Sequence, residues 1–156
     1  MRKIAILVPI CLILVAMVAS CNTNHNNYPP PGGTPYIRFQ NHVELRPGQI
    51  KSIDVFLTIR KPAQMNVSYG IFVARKVEQY SPLENGVPYE KLSTPPGLEV
   101  TIKPSDFIAY PGKTYNSVVE IKTSSELPQG EYQLFLEVFL DNNRWPGSGW
   151  ITVNVK

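Results

Sequence analysis

The sequence predicts an all-β fold, a two-layer sandwich of about seven strands, and three observations predict it. From Tyr36 onward apolar residues recur with period two, and helical spacing is absent. Clusters of Pro, Gly, Asn and Asp break that alternation roughly every ten positions. Finally, Leu127-Pro128-Gln129-Gly130-Glu131-Tyr132, a tight-turn sequence ending in an aromatic hydroxyl, stands directly before the strongest alternating segment of the chain.

In order, the candidate strands are residues 36–45, 50–60, 66–74, 98–103, 115–123, 131–140 and 149–155. The first ends at Arg46-Pro47-Gly48, a reverse-turn sequence that launches the second. There Ile53, Val55, Leu57 and Ile59 share one face, with Ser52, Asp54, Thr58 and Arg60 on the other, so one face points inward. The third carries Val67, Tyr69, Ile71 and Val73 on one side and Phe72 on the opposite side. A second Pro-Gly corner, Tyr110-Pro111-Gly112, precedes the fifth, where Val119 and Ile121 alternate with Glu120 and Lys122. In the sixth, Tyr132, Leu134, Leu136, Val138 and Leu140 face the core, which turns Phe135 and Phe139 outward. In the seventh, Ile151, Val153 and Val155 face inward and Trp150 outward.

The segment 127–132 resembles a tyrosine corner, in which the Tyr hydroxyl bonds a backbone group a few residues upstream and fixes the connection between two sheets. Together with Pro47-Gly48 and Pro111-Gly112, over roughly residues 45–155, it resembles the immunoglobulin-like accessory domains of bacterial surface proteins and glycosidases. The resemblance implies an immunoglobulin-like β-sandwich and leaves function open. The cysteine pair and the core tryptophan of antibody domains have no counterpart.

Ahead of this domain, Met1-Arg2-Lys3 is followed by an uncharged apolar run from Ile4 to Ala19, the layout of a cleaved secretory signal. Its sixteen residues fall short of the roughly twenty that span a bilayer. Val18-Ala19-Ser20-Cys21 resembles the lipobox of bacterial lipoproteins. That resemblance implies cleavage before Cys21, lipidation of its thiol and palmitate-type acylation, and so a lipid anchor in the cell membrane or outer membrane with the domain outside the cytoplasm. Two or three acyl chains anchor durably where one binds marginally. The expected organisation is a signal peptide over 1–20, a lipidated Cys21 and Asn/Pro/Gly-rich tether over 21–35, and the immunoglobulin-like sandwich over 36–156. Cys11 falls in the discarded signal and Cys21 carries lipid, so the folded domain has no disulfide.

The chain has fifteen Lys and Arg against twelve Asp and Glu, and two of the fifteen, Arg2 and Lys3, leave with the signal. The mature protein is therefore nearly neutral, which gives no long-range electrostatic reason to expect nucleic acid or an anionic surface as a partner. The sequence nominates no catalytic residue, cofactor or metal, and a non-enzyme is expected. His25 lies in the tether without a second ligand nearby; His42 shares a strand face with Glu44 but has no glycine-flanked serine to activate. Asp141-Asn142-Asn143 begins like a calcium loop but lacks the later oxygen ligands in register, and reads as a turn.

The candidate binding residues are aromatic. Segments 66–74, 131–140 and 149–155 are neighbours in an immunoglobulin-like fold, which places Phe72, Phe135, Phe139 and Trp150 on one outer face. Such a face suits a protein or glycan ligand, or else is covered by the long connection 75–96 as a second small core. Arg144 and Trp145, adjacent in the last loop, are residue types enriched at binding hot spots. That loop also resembles the Arg-Pro-Trp loop of immunoglobulin-like cysteine-protease inhibitors. The leading expectation is a membrane-anchored, non-catalytic binding or adhesion module. Its alternatives are a structural or assembly subunit of an envelope complex and, behind both, a protease inhibitor.

Overall fold

The computed structural model describes residues 33–61, 63–77 and 89–156. The expected signal peptide, Cys21 and the expected tether up to residue 32 lie outside the described residues. Eleven strands follow in order: β1 (Tyr36–Phe39), β2 (His42–Leu45), β3 (Ile50–Thr58), β4 (Met65–Lys76), β5 (Tyr89–Lys91), β6 (Leu98–Lys103), β7 (Asp106–Ala109), β8 (Thr114–Thr123), β9 (Gly130–Leu140), β10 (Asn143–Arg144) and β11 (Gly149–Val155). They form an all-β immunoglobulin-like sandwich. One sheet has the order β1-β3-β8-β6; the other has the order β2-β11-β9-β4-β5, with β7 also on β4 and β10 on β9. Every pairing is antiparallel except β2 with β11.

The inward residues read from alternation form the core: Ile53, Val55, Leu57 and Ile59 from the β3 segment, Val119 and Ile121 from β8, Leu134, Leu136, Val138 and Leu140 from β9, and Ile151, Val153 and Val155 from β11 are all buried. Burying each aliphatic side chain of this kind contributes about 1.5–3 kcal/mol. The two Pro-Gly corners are true reverse turns, closed by Gln49 N–H to the Arg46 carbonyl at 3.2 Å and Lys113 N–H to the Tyr110 carbonyl at 3.4 Å. Gly48 and Gly112 take φ of +81° and +73°, the left-handed conformation that a turn of this type demands after its proline. Each glycine N–H also bonds the opposite strand's continuation, Gly48 to Ser124 and Gly112 to Ile59, so the corners staple the two ends of the β3–β8 ladder. The tyrosine corner is present: Tyr132 donates its hydroxyl proton to the Pro128 carbonyl at 2.7 Å.

Two expectations are corrected. Residues 36–45 are not one strand, because the chain leaves the four-stranded sheet after Phe39 and joins the seven-stranded sheet at His42. Ile37, Phe39, Val43 and Leu45 keep one parity, and the polar Asn41 between them shares it; an unbroken strand would bury Asn41, which the crossing leaves exposed. Likewise the stretch after β6 is not a plain connection. Past Pro104 and Ser105 the chain crosses to the other sheet as β7, held by Ser117 Oγ donating to the Pro104 carbonyl (2.9 Å) and Tyr69 N–H donating to the Ser105 carbonyl (2.8 Å). The two crossings sit at opposite lateral edges, so an edge strand of one sheet continues into the facing sheet on each side.

Candidate functional site

The outer face of the seven-stranded sheet is built by β4, β9 and β11 side by side. Register places Phe72 opposite Phe135 and Phe135 opposite Trp150, so three aromatic residues from three strands line up across the sheet. Their ring centroids lie 6.0 Å apart for Phe72 with Phe135 and 4.9 Å for Phe135 with Trp150, the latter edge to face. A fourth ring comes from β5: Tyr89 stacks on Phe135 at 4.5 Å and leans on Phe72 at 5.4 Å. Phe135 is consequently 2% exposed, a buried centre beneath Tyr89, while Phe72, Tyr89 and Trp150 remain half-buried around it. Within the described residues the connection 75–96 thus supplies part of a cover. Phe139 lies on the same face four residues further along β9, opposite Ser68 and Arg144, outside these ring contacts.

Cations ring the aromatic group. Lys91 Nζ sits 4.7 Å from the Phe72 centroid, Lys76 Nζ 5.7 Å from Trp150, and the Arg144 guanidinium 5.7 Å from Tyr89. Such placements favour charge over the electron-rich ring face. Glu137, largely buried between them, accepts the Tyr89 hydroxyl proton at 2.8 Å and faces Arg144 at 3.6 Å. Burial first, then the Glu137 carboxylate, raises the Tyr89 hydroxyl above its ordinary pKa, with Arg144 opposing. At the rim Arg75 pairs with Glu90 at 2.6 Å.

The last loop contributes to this face only through Arg144. Asp141 and Asn142, at φ of 51° and 64°, form the two-residue turn between β9 and β10, the geometry of a type I′ hairpin. Trp145 packs back against the core; its backbone N–H donates to the Val138 carbonyl at 2.7 Å and its backbone carbonyl accepts the Ser148 hydroxyl proton at 2.8 Å. Ser148 Oγ in turn accepts Val138 N–H at 3.0 Å, so residues 145–148 form a bulge plugged into β9 rather than a projecting tip. Beyond Trp150 the sandwich edge opens into a cleft of about 650 Å³ lined by Ile37, Phe39, Asp54, Phe56, Ser148 and Trp150 among others. The Trp150 indole N–H is buried with no acceptor among the described residues.

Elsewhere, His42 is exposed, 4.0 Å from Glu44 and 3.3 Å from the Asn154 amide, and Glu44 is bound by Lys156, which lowers its pKa. No group of three or more His, Cys, Asp and Glu side chains arranged for a metal occurs among the described residues. Sequence reasoning did not name Tyr89, Lys91, Lys76 or Glu137 as site residues. Tyr89 and Lys91 lie on β5, which is too short for alternation to distinguish a strand from a loop, whereas Glu137 on β9 and Lys76 at the end of β4 carry a signal, the same parity as Phe135 and Phe72.

No protein-family model matches the chain, and no curated protein does. Solved structures do resemble it. The PapD-like domain 7 of human CEP192 aligns with a TM-score of 0.53 at 10% identity, covering 83% of this chain and 89% of that one. A family 123 glycoside hydrolase from Clostridium perfringens aligns at 0.55 and 9% identity over 79% of this chain, which spans 27% of that enzyme. A chaperone and tip-adhesion subunit complex of the Csu pili of Acinetobacter baumannii aligns at 0.48 and 17% identity, covering 79% of this chain and 57% of that one. At these identities the likeness shows a PapD-like and immunoglobulin-like sandwich fold.

Proposed function

We propose that the chain is a lipoprotein acylated at Cys21 and displayed outside the cytoplasm on the cell membrane or outer membrane. Its sandwich is a non-catalytic binding or adhesion module that recognises a protein or a glycan through the outer face of the seven-stranded sheet. The aromatic face carries this reading: Phe72, Tyr89 and Trp150 stand half-buried around a buried Phe135, with Lys76, Lys91 and Arg144 over their rings. Aromatic surface with a polar tip and adjacent cations is the chemistry of sugar stacking and of protein hot spots. The signal, lipobox and tether sequence support the anchor. Arg144 belongs to this face, and Trp145 serves the loop's own packing. Immobilised through Cys21, the mature protein is expected to capture a reversible ligand from envelope extract or a glycan panel. Phe72→Ala with Lys91→Ala weakens that capture at least about tenfold, the equivalent of about 1.4 kcal/mol.

A second reading, a structural or assembly subunit of an envelope complex, is favoured by β6, which pairs with β8 and leaves its other edge open among the described strands. In that case the same experiment yields a salt-stable, stoichiometric partner indifferent to the two substitutions. Protease inhibition is retired if inhibition assays show no response to Arg144→Ala.

A further inference from the structure

The sandwich has two ends of different character, and one of them is the end at which the chain enters. Gly33 leads into β1 beside the β3–β4 connection and the β7–β8 corner, since Tyr36 pairs with Thr58 and Thr58 with Thr114. At this end Ile108 and Tyr110 are 50% and 47% exposed, two of the four large hydrophobic residues left open among the described residues. Lys113 Nζ lies 5.6 Å from the Tyr110 ring centroid, Lys61 follows β3, and the nearby carboxylates are Asp141 of the adjoining hairpin and Asp106, two residues before Ile108 on β7. At the far end Lys122 is paired with Glu99 and Lys156 with Glu44. Exposed Tyr and Ile flanked by long cationic side chains suit the headgroup layer of a bilayer, where the ring and methyl groups enter the interface and the amines reach lipid phosphates.

We infer that this end of the domain docks on an anionic lipid surface through Ile108, Tyr110, Lys61 and Lys113, so that the molecule stands with its chain-entry end on the membrane. The inference rests on the lipid anchor proposed above. Twelve residue steps from Cys21 to Gly33 reach at most about 43 Å fully extended. An anchored domain is therefore held at high local concentration over the bilayer, with this end nearest, and contacts too weak to recruit a free protein suffice to orient it. Each lysine near an anionic leaflet contributes enough that removing Lys61 and Lys113 lowers the docked-to-undocked ratio about thirtyfold.

The test couples Cys21 of the mature chain chemically to a maleimide lipid, in vesicles of phosphatidylcholine alone or with phosphatidylglycerol, both containing brominated acyl chains. Tyr110→Trp reports on the docked end and Ile50→Trp, at the far end and 56% exposed, is the reference. The additional quenching that each introduced indole brings over the unsubstituted protein is compared. Quenching at 110 well above that at 50 is expected on anionic vesicles, and it is lost in high salt and in the Lys61→Gln, Lys113→Gln variant while far-ultraviolet circular dichroism stays unchanged. Equal quenching at both positions, or quenching insensitive to lipid charge and salt, overturns the docking. The anchor is judged separately, by the mass of Cys21 in protein purified from membranes: an unmodified thiol there removes the anchor reading whatever the vesicles show.

Discussion

Tyr69 and Tyr132 show how differently one phenol serves in two places. Tyr132 donates to the Pro128 carbonyl at the surface end of β9, so Tyr132→Phe is expected to cost about 1 kcal/mol with the fold retained, read by urea unfolding. Tyr69 is buried between the sheets, its ring 5.9 Å from Phe107, and its hydroxyl has no hydrogen-bond partner among the described residues. Burial pushes that hydroxyl above its ordinary range, and Ser117 nearby opposes this. Tyr89 is raised as well. A raised folded-state pKa means that the unfolded chain loses its proton first as pH climbs. The contribution of these groups is thus whole below the unfolded tyrosine value near 10 and is lost above it. Unfolding midpoints should therefore be insensitive to tyrosine ionisation up to about pH 9 and should fall in more alkaline buffer. Tyr69→Phe should soften that fall and, by removing an unpartnered buried hydroxyl, leave neutral-pH stability equal or higher by up to about 1 kcal/mol.

The strands that alternation identifies and the strands it misses differ in length. The segments at 98–103 and 149–155 match β6 and β11, and β3, β4, β8 and β9 differ from expectation by two residues or fewer at either end. Each of these buries a full face, and it is burial that writes the period into the sequence. β5, β7 and β10 are four residues or shorter, so no period can develop; pairing with a longer strand specifies them instead. The aromatic face follows the same division. Parity on long strands places Phe72, Phe135 and Trp150 together, whereas the Tyr89 ring that covers Phe135 arrives on β5, whose pairing is invisible in sequence. Stability should be graded in the same way. Amide hydrogen exchange is expected to be slowest in β3, β8 and β9, each flanked on both sides, and faster by orders of magnitude in β5 and β10.

At the scale of the whole molecule, cohesion comes from one core between two sheets. Both cysteines of the sequence precede Gly33, and no cysteine lies among the described residues. The urea midpoint of the sandwich domain should therefore be the same with and without a thiol reductant; a drop on reduction would show that a cross-link between chains contributes. The lateral crossings after Phe39 and after Lys103 bind the layers together where a simple sandwich is open, and the first of them settles how the molecule bears load. A force applied at Gly33 travels along β1, whose bonds to β3 run across the line of pull, and then reaches β2, lashed in parallel to the last strand, β11. Those cross-links are strained in shear, many at once, instead of being peeled one after another. Under the proposed anchoring, a pull on the entering chain would meet its greatest resistance at the point where the strain enters.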